Sequence, residues 1–236
     1  MATPSLLRKF YLQRKKQLDN WLLSGQRRKK LVPPLDFTVI CSDCFAGTGI
    51  YEKFGLQYNT PTVGLFFHPD DYLRFLEGFK KCLEHPLRFK QSSRYQAQNE
   101  FRMKHPYPIG VLGDDIEIQL LHYKTEEEAA EKWARRSKRI NFDRLFFMFF
   151  DSVVVTPAHI ERFAKLPFER KVFFSSKPTS HPEMTVITED STTNPWVREG
   201  YFDVFEWLKF YERHFDAVRW LNGGDFRKAT DDSSRR

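Results

Sequence analysis

Phe37-Thr38-Val39-Ile40-Cys41-Ser42-Asp43-Cys44-Phe45-Ala46-Gly47-Thr48-Gly49-Ile50-Tyr51 opens as a short β-branched run and passes abruptly into small and polar residues. A buried strand ending in a tight small-residue turn is how α/β proteins place chemistry at the carboxyl end of a strand. Ser42, Asp43 and Cys44 then stand at the strand's mouth, with Thr48 just beyond. Gly47 and Gly49 either let a ligand approach the backbone or serve only the φ > 0 geometry of an ordinary strand-to-helix turn. The turn is not a Walker A loop, because no Lys-Ser or Lys-Thr follows the second glycine. It is not a dinucleotide fingerprint either, because the third glycine is missing.

Moving outward, strands and helices alternate. Residues 63–67 read as a second buried strand, and His68-Pro69-Asp70-Asp71 opens a helix whose Tyr72, Phe75, Leu76, Phe79 and Leu83 follow helical spacing. Residues 85–108 are polar and irregular and read as a long surface connection. Residues 108–115 read as a turn, followed by a strand to about His122 in which Ile116, Ile118 and Leu120 alternate with Glu117 and Gln119. Asp114 and Asp115 fit either a metal-ligand pair or a solvated turn. Thr125-Glu126-Glu127-Glu128 is a capping-box signature, and the helix it starts runs from acidic to basic, with Glu131 set to pair with Arg135.

Further on, Leu145-Phe146-Phe147-Met148-Phe149-Phe150 reads as a core strand ending at Asp151, and Thr156-Pro157 starts another helix. Residues 171–178 read as a strand ending in a polar turn, and converging strand ends are expected to bring Ser175, Ser176 and Lys177 near Ser42, Asp43 and Cys44. Residues 184–188 suggest one more strand and residues 203–221 an aromatic final helix. The expected fold is α/β, a single three-layer domain with a central, mostly parallel sheet and helices on both sides. The domain spans 35–222, between a basic amphipathic N-terminal helix and linker (1–34) and a polar tail (223–236).

Hydrophobic residues make up 41% of the 236 residues and include 24 Phe, enough to build a core and exclude global disorder. Cys41, Cys44 and Cys82 cannot form a dense disulfide framework, which fits a reducing compartment. Cys41 and Cys44 make a CxxC pair, but Cys41 falls in the strand and no second CxxC or paired histidine motif follows, which disfavours redox and zinc roles. No secretory signal is evident, and no run reaches the ~20 apolar residues of a membrane span.

The net charge of +7 favours polyanionic partners. Leu7, Phe10, Tyr11, Leu18, Trp21 and Leu22 share one face of the first segment, with Arg8, Lys9, Arg14, Lys15 and Lys16 around them. Such a helix lies in an anionic membrane interface or docks on its own domain. Nucleic acid is the weaker partner, because no base-reading module accompanies the charge.

Several ordered motifs resemble a bacterial family of exopolysaccharide-biosynthesis proteins, domain of unknown function 1919. They are Ser42-Asp43-Cys44, Gly49-Ile50-Tyr51, Phe54-Gly55-Leu56-Gln57-Tyr58-Asn59-Thr60-Pro61-Thr62-Val63-Gly64-Leu65 and Pro69-Asp70-Asp71-Tyr72. Tyr107-Pro108-Ile109-Gly110, His122-Tyr123, Ala130-Glu131-Lys132-Trp133, Arg136, Arg139-Ile140-Asn141 and Phe174-Ser175-Ser176-Lys177-Pro178 continue them. Where family members often carry Gly-Gly, this chain has Ala46-Gly47. The resemblance implies one α/β domain and a part in assembling cell-surface polysaccharide, such as exopolysaccharide, capsule or lipopolysaccharide.

The leading expectation is a cytoplasmic transferase, at the inner face of the membrane, acting on a sugar nucleotide or a polyprenyl-phosphate-linked saccharide. His122 serves as general base, with Asp43 or Asp115 orienting it or a divalent cation. Arg136, Arg139 and Lys177 hold phosphate, and Ser42, Gly47, Thr48, Gly49, Asn59, Ser175 and Ser176 line the substrate site. Two alternatives stand beside it. One is an acyl transferase or hydrolase with Cys44 as nucleophile, the other a non-catalytic assembly protein.

Overall fold

The computed structural model describes residues 22–151, 154–188 and 211–227. Within them the strands are β1 (Thr38–Cys41), β2 (Arg88–Lys90), β3 (Ile109–Leu112), β4 (Ile116–Gln119), β5 (Leu145–Phe150), β6 (Lys171–Ser175) and β7 (Thr185–Ile187). The helices are α1 (Pro69–Glu77), α2 (Phe79–Glu84), α3 (Gln96–Lys104), α4 (Glu126–Ser137), α5 (Pro157–Lys165) and α6 (Ala217–Leu221). A π-helical segment, Ala46–Glu52, follows β1.

The central sheet has the order β1-β5-β6-β7, and every neighbouring pair is parallel. Its strands are apolar throughout because both faces are covered. Successive side chains point to opposite faces, so the runs divide between two cores. Ile40, Phe147, Phe149 and Phe173 join α1, α5 and the second sheet on one side. Val39, Cys41, Phe146, Met148, Phe150, Val172 and Phe174 meet the π-helical segment, Tyr211, Phe215 and α6 on the other. The fold is therefore α/β, with a mostly parallel sheet between two layers, as the alternation predicts. A small antiparallel sheet, β2-β3-β4, is added to it.

Local signals explain the helices. Thr125 Oγ1 accepts the Glu128 N–H at 3.1 Å and Glu128 Oε2 accepts the Lys124 N–H at 2.9 Å, closing the start of α4. Glu131 and Arg135 pair at 2.8 Å. In α1, Tyr72 packs in the core and its hydroxyl lies 2.8 Å from the Met148 carbonyl and 3.1 Å from that of Ile40, tying the helix to the sheet.

Four expectations are corrected. Residues 63–67 do not form a strand of the parallel sheet. Gly64 turns the chain at φ +74°, Phe66 pairs singly with Gln119, and the Phe67 N–H donates to the Ser42 carbonyl, so the segment bridges the two sheets. Residues 85–108 are not one irregular connection, since they contain β2 and α3. Residues 108–115 hold β3 before the turn at Gly113. In the final aromatic segment, residues 203–210 lie outside the described residues. Beyond them the helix is interrupted, because Phe215 bridges Arg227 and Asp216 caps α6 by accepting the Arg219 N–H.

Residues 1–21, which carry most of the basic amphipathic segment, also lie outside the described residues, as does the tail from residue 228. The end of the segment is seen. Leu31 is buried with Phe37 in the second core, and the Asn222 side chain bonds the Val32 N–H and the Lys30 carbonyl. Among the described residues, no helix is long and apolar enough to cross a membrane.

Candidate functional site

A cleft of about 890 Å³ opens where β1 ends. The turn after β1 supplies Asp43, Cys44, Gly47 and Thr48, and the bridging segment supplies Val63, Gly64 and Phe66. His122 and Tyr123 follow β4, and Lys132 and Arg136 project from α4. Asp43 shapes the turn, as its Oδ1 accepts the Phe45 N–H at 2.8 Å and the Cys41 thiol at 3.2 Å. Burial pushes the Asp43 carboxyl up to about 6, against the lowering effect of these two donors.

The glycines of this turn have a packing role. Neither Gly47 nor Gly49 has a positive φ, which corrects the simpler reading of the pair. A Cβ on Gly49 would lie 2.6 Å from the Phe45 ring, and one on Gly47 3.0 Å from Val63. Gly47 and Thr48 line the cleft, while Gly49 is buried behind Phe45. Gly64 brings the bridging segment against the opposite wall, its carbonyl accepting the His122 N–H at 3.0 Å.

Arg136 is the most informative group. The inward face of α4 buries it to 8% exposure beside Trp133. Its Nη1 donates to the Tyr123 hydroxyl at 2.8 Å and reaches the Val63 carbonyl at 3.5 Å, and the guanidinium stands 4.9 Å from the Tyr58 ring centre. Among the described residues no carboxylate lies within ion-pair distance of it, although Arg135 and Lys132 on the same helix both have one. A buried cation held only by neutral groups is costly unless an anion joins it. Lys132, one turn earlier, pairs with Glu128 at 2.6 Å at the cleft wall. Glu52 also faces the cleft and accepts the Tyr58 hydroxyl at 2.5 Å.

The remaining expected residues divide between this cleft and elsewhere. His122 is exposed at the rim. The Cys44 thiol lies in the cleft wall and donates to the Leu65 carbonyl at 3.4 Å. Burial, with the charge of Asp43 added, raises its pKa and keeps it protonated, the opposite of an activated nucleophile. Arg139 reaches the Tyr58 carbonyl at 3.4 Å, just behind the cleft. The Asn59 carbonyl accepts the Thr38 hydroxyl, and Ser42 Oγ accepts the Phe150 N–H, so both serve the framework.

Asp115 lies outside the cleft, exposed in the β3–β4 turn and paired with Arg94 at 2.8 Å. Ser175 and Ser176 do not meet Ser42, because β5 lies between β1 and β6 and sets them about 10 Å apart. Their hydroxyls turn to Asp151 at 3.4 and 3.5 Å, and Lys177 is exposed beyond them. Among the described residues no group of three His, Cys, Asp or Glu side chains is placed to hold a metal ion. Glu52, Tyr58 and Lys132 were not anticipated as site residues. For Lys132 the spacing of four from Arg136 on one helix was the available signal.

A second polar network holds the cleft's outer lip. Asp71 and Glu117 are both buried. Glu117 bonds Lys90 at 2.5 Å, the Ser93 hydroxyl, the Arg94 N–H and the Gln119 amide. Asp71 accepts the Tyr95 hydroxyl at 2.6 Å and the Glu117 N–H at 3.1 Å. The network fixes residues 93–95 and with them α3, whose Phe101 lines the cleft.

Comparison with known proteins fits this unit. The family described as Domain of unknown function (DUF1919) matches residues 15–222, and the chain belongs to it. The chain is also 34% identical over 186 residues to an "Uncharacterized protein" of Haemophilus influenzae (strain ATCC 51907 / DSM 11121 / KW20 / Rd), covering 78% of this chain and 84% of that one.

Proposed function

We propose that this protein is a group-transfer enzyme of surface-polysaccharide assembly, acting in the cleft on a phosphate-bearing sugar. The donor is a sugar nucleotide or a polyprenyl-phosphate-linked saccharide. The observation that carries this reading is Arg136, a buried guanidinium without a carboxylate partner among the described residues, in the wall of a cleft of ligand size. A phosphoryl group supplies the missing anion, with bidentate geometry that suits arginine. Tyr58 and Phe66 offer flat faces to a sugar or base.

Asp43 accepts the proton from the acceptor hydroxyl. Only its Oδ1 is used within the described residues, and it is ionised above about pH 6. The acceptor oxygen then bonds the sugar's anomeric carbon as the bond to the phosphate oxygen breaks. The phosphate leaves with its electron pair against Arg136. His122 at the rim contacts the acceptor. On this reading the enzyme works in the cytoplasm, at the inner face of the membrane that holds the carrier lipid.

Calorimetric titration with nucleotide sugars and polyprenyl-phosphate sugars, with and without divalent cation, tests this. Binding by the wild type, weakened at least tenfold in Arg136→Ala, is expected. Absence of binding to every donor, or equal binding by the variant, overturns it.

A further inference from the structure

The lining of the cleft separates its two candidate donors by charge. Asp43, Glu52, Lys132 and Arg136 are the lining residues with acidic or strongly basic side chains. Lys132 is already paired with Glu128 at 2.6 Å. Arg136 Nη1 is taken by Tyr123 and Val63, but its Nε and Nη2 make no hydrogen bond among the described residues and are not shut off from water. One cation is therefore open to a ligand, and two carboxylates line the same space. A phosphodiester carries one negative charge and matches this. The diphosphate of a sugar nucleotide carries two, and the second would stand against Asp43 and Glu52 with no unpaired cation of the lining to answer it.

The apolar part of the lining runs outward from Arg136. Val63 is buried beside the guanidinium, Phe66 and Leu121 are half-buried, and Phe101 at the lip is 49% exposed. The helix that carries Phe101 buries no residue, so its own core does not account for the ring. Two residues on, Met103 is 78% exposed. A cation inside and apolar side chains of rising exposure toward the lip suit a ligand with a charged head and a hydrocarbon tail that leaves toward the surface. A nucleotide joined through a single phosphate fits the charge but puts its base and ribose hydroxyls against these apolar side chains.

We infer that the donor is the lipid-linked one, joined to its sugar through a single phosphate: the phosphodiester meets Arg136, and the prenyl chain leaves over Phe66, Leu121 and Phe101. This rests on the reading of the cleft as a transferase site and adds the class and charge of the donor. In the transfer step the acceptor oxygen bonds the anomeric carbon and its proton passes to Asp43. The bond from that carbon to the phosphate oxygen breaks, and the oxygen keeps the electron pair. The released polyprenyl phosphate thus carries one more negative charge than its phosphodiester, and that charge forms beside Arg136.

The experiment is calorimetry on the full chain, buffered above the Asp43 value of about 6, with and without magnesium. The probes are farnesyl methyl phosphate, uridine methyl phosphate, farnesol, farnesyl diphosphate and UDP-glucose, all below micelle-forming concentration. The first two share one singly charged head and differ in chain against nucleoside. Saturable binding of farnesyl methyl phosphate is expected, with a negative heat-capacity change from the buried chain. Each of the other four should bind at least tenfold more weakly, the equivalent of about 1.4 kcal/mol. Arg136→Ala should weaken farnesyl methyl phosphate at least tenfold. Phe101→Ala, at an exposed position, should weaken it about fivefold. UDP-glucose, uridine methyl phosphate or farnesyl diphosphate binding as tightly, and weakened by Arg136→Ala, overturns this inference and leaves the cleft reading standing. Equal binding of farnesol, or binding of farnesyl methyl phosphate indifferent to Phe101, also overturns it. No binding of any phosphate-bearing probe, or indifference of all of them to Arg136, overturns both.

Discussion

Beneath the parallel sheet the interior is carbon: Phe147, Phe149, Phe163 and Phe173 on one face, Phe146, Phe150 and Phe174 on the other. Beneath the antiparallel sheet, α1 and β4 bury two carboxylates, Asp71 and Glu117, with Lys90 and Arg94 closing over them. The first arrangement is non-directional and gains stability from area removed from water. The second gains little net stability but fixes positions, because every buried charge must find its partner at one geometry. Here it holds residues 93–95, and so sets where α3 stands over the cleft.

The largest expected effect tests the carbon side. Phe149 contacts Tyr72, Phe163 and Phe173 in a fully buried position. Phe149→Ala should cost about 3–5 kcal/mol in urea unfolding. A loss below 1 kcal/mol would mean that this core collapses around the gap and does not set the fold's stability.

The next tests the polar side, through pH. Burial alone would raise Glu117, but the bonds from Lys90, Ser93, Arg94 and Gln119 outweigh it and hold its carboxyl below the ordinary value. Its contribution is therefore present above the unfolded glutamate value of ~4.3 and lost as pH falls through the lower folded value. Asp71 runs the other way. Burial raises it, so it opposes folding as pH rises. Glu117→Gln should cost about 2–3 kcal/mol at pH 7 and flatten the decline in melting temperature below pH 4. An unchanged acid limb would show that the network is not what acid disrupts.

This contrast also explains what was legible in the sequence. The residues 145–150 and 171–175 announced themselves as strands because a two-sided sheet leaves an unbroken apolar run. In β4 the alternation of Ile116 and Ile118 with Glu117 and Gln119 implied a wet face, yet Glu117 and Gln119 are as buried as the isoleucines. Periodicity reports which residues avoid water. It cannot reveal polar groups whose partners arrive from α1 and the 93–95 loop. α3 was missed for the converse reason, since it buries no residue and so has no apolar stripe to detect.

The site divides the same way. Asp43, Cys44, Gly47 and Thr48 were legible from one turn, and the resemblance pointed to His122 and Arg136. The strand order that separates Ser175 from Ser42, and the turn that carries Asp115 away, are tertiary facts.

Asp43 lies between the two regions, and its variant has a smaller, pH-dependent effect. With a folded value of about 6, its stabilising contribution is complete below the unfolded value of ~3.8 and is lost as pH rises through 6. Asn at this position can still accept from Phe45 and Cys41 without ionising. Asp43→Asn should therefore match the wild type near pH 4 and exceed it at pH 8, by on the order of 1–2 kcal/mol, while transfer activity is lost. Equal melting temperatures at both pH values would remove Asp43 as a perturbed group. Retained activity would remove it as the proton acceptor.

The smallest expected change in stability is at Phe101, which lies at the lip the polar network positions. It is 49% exposed on a helix that buries nothing, yet it lines the cleft. Phe101→Ala therefore removes little burial from the free protein, and the urea midpoint should correspond to a change within about 0.5 kcal/mol. A ligand in the cleft gives the ring a second surface, so affinity for the donor should fall, by about fivefold if roughly 1 kcal/mol of contact is lost. The two measurements together locate α3. A stability loss near 2 kcal/mol with unchanged affinity would make the helix part of the core and place the cleft's working mouth elsewhere. Lost affinity with unchanged stability makes it a wall set by Glu117 and Asp71 from behind. In that case Glu117→Gln should weaken donor binding as well, although Glu117 does not line the cleft.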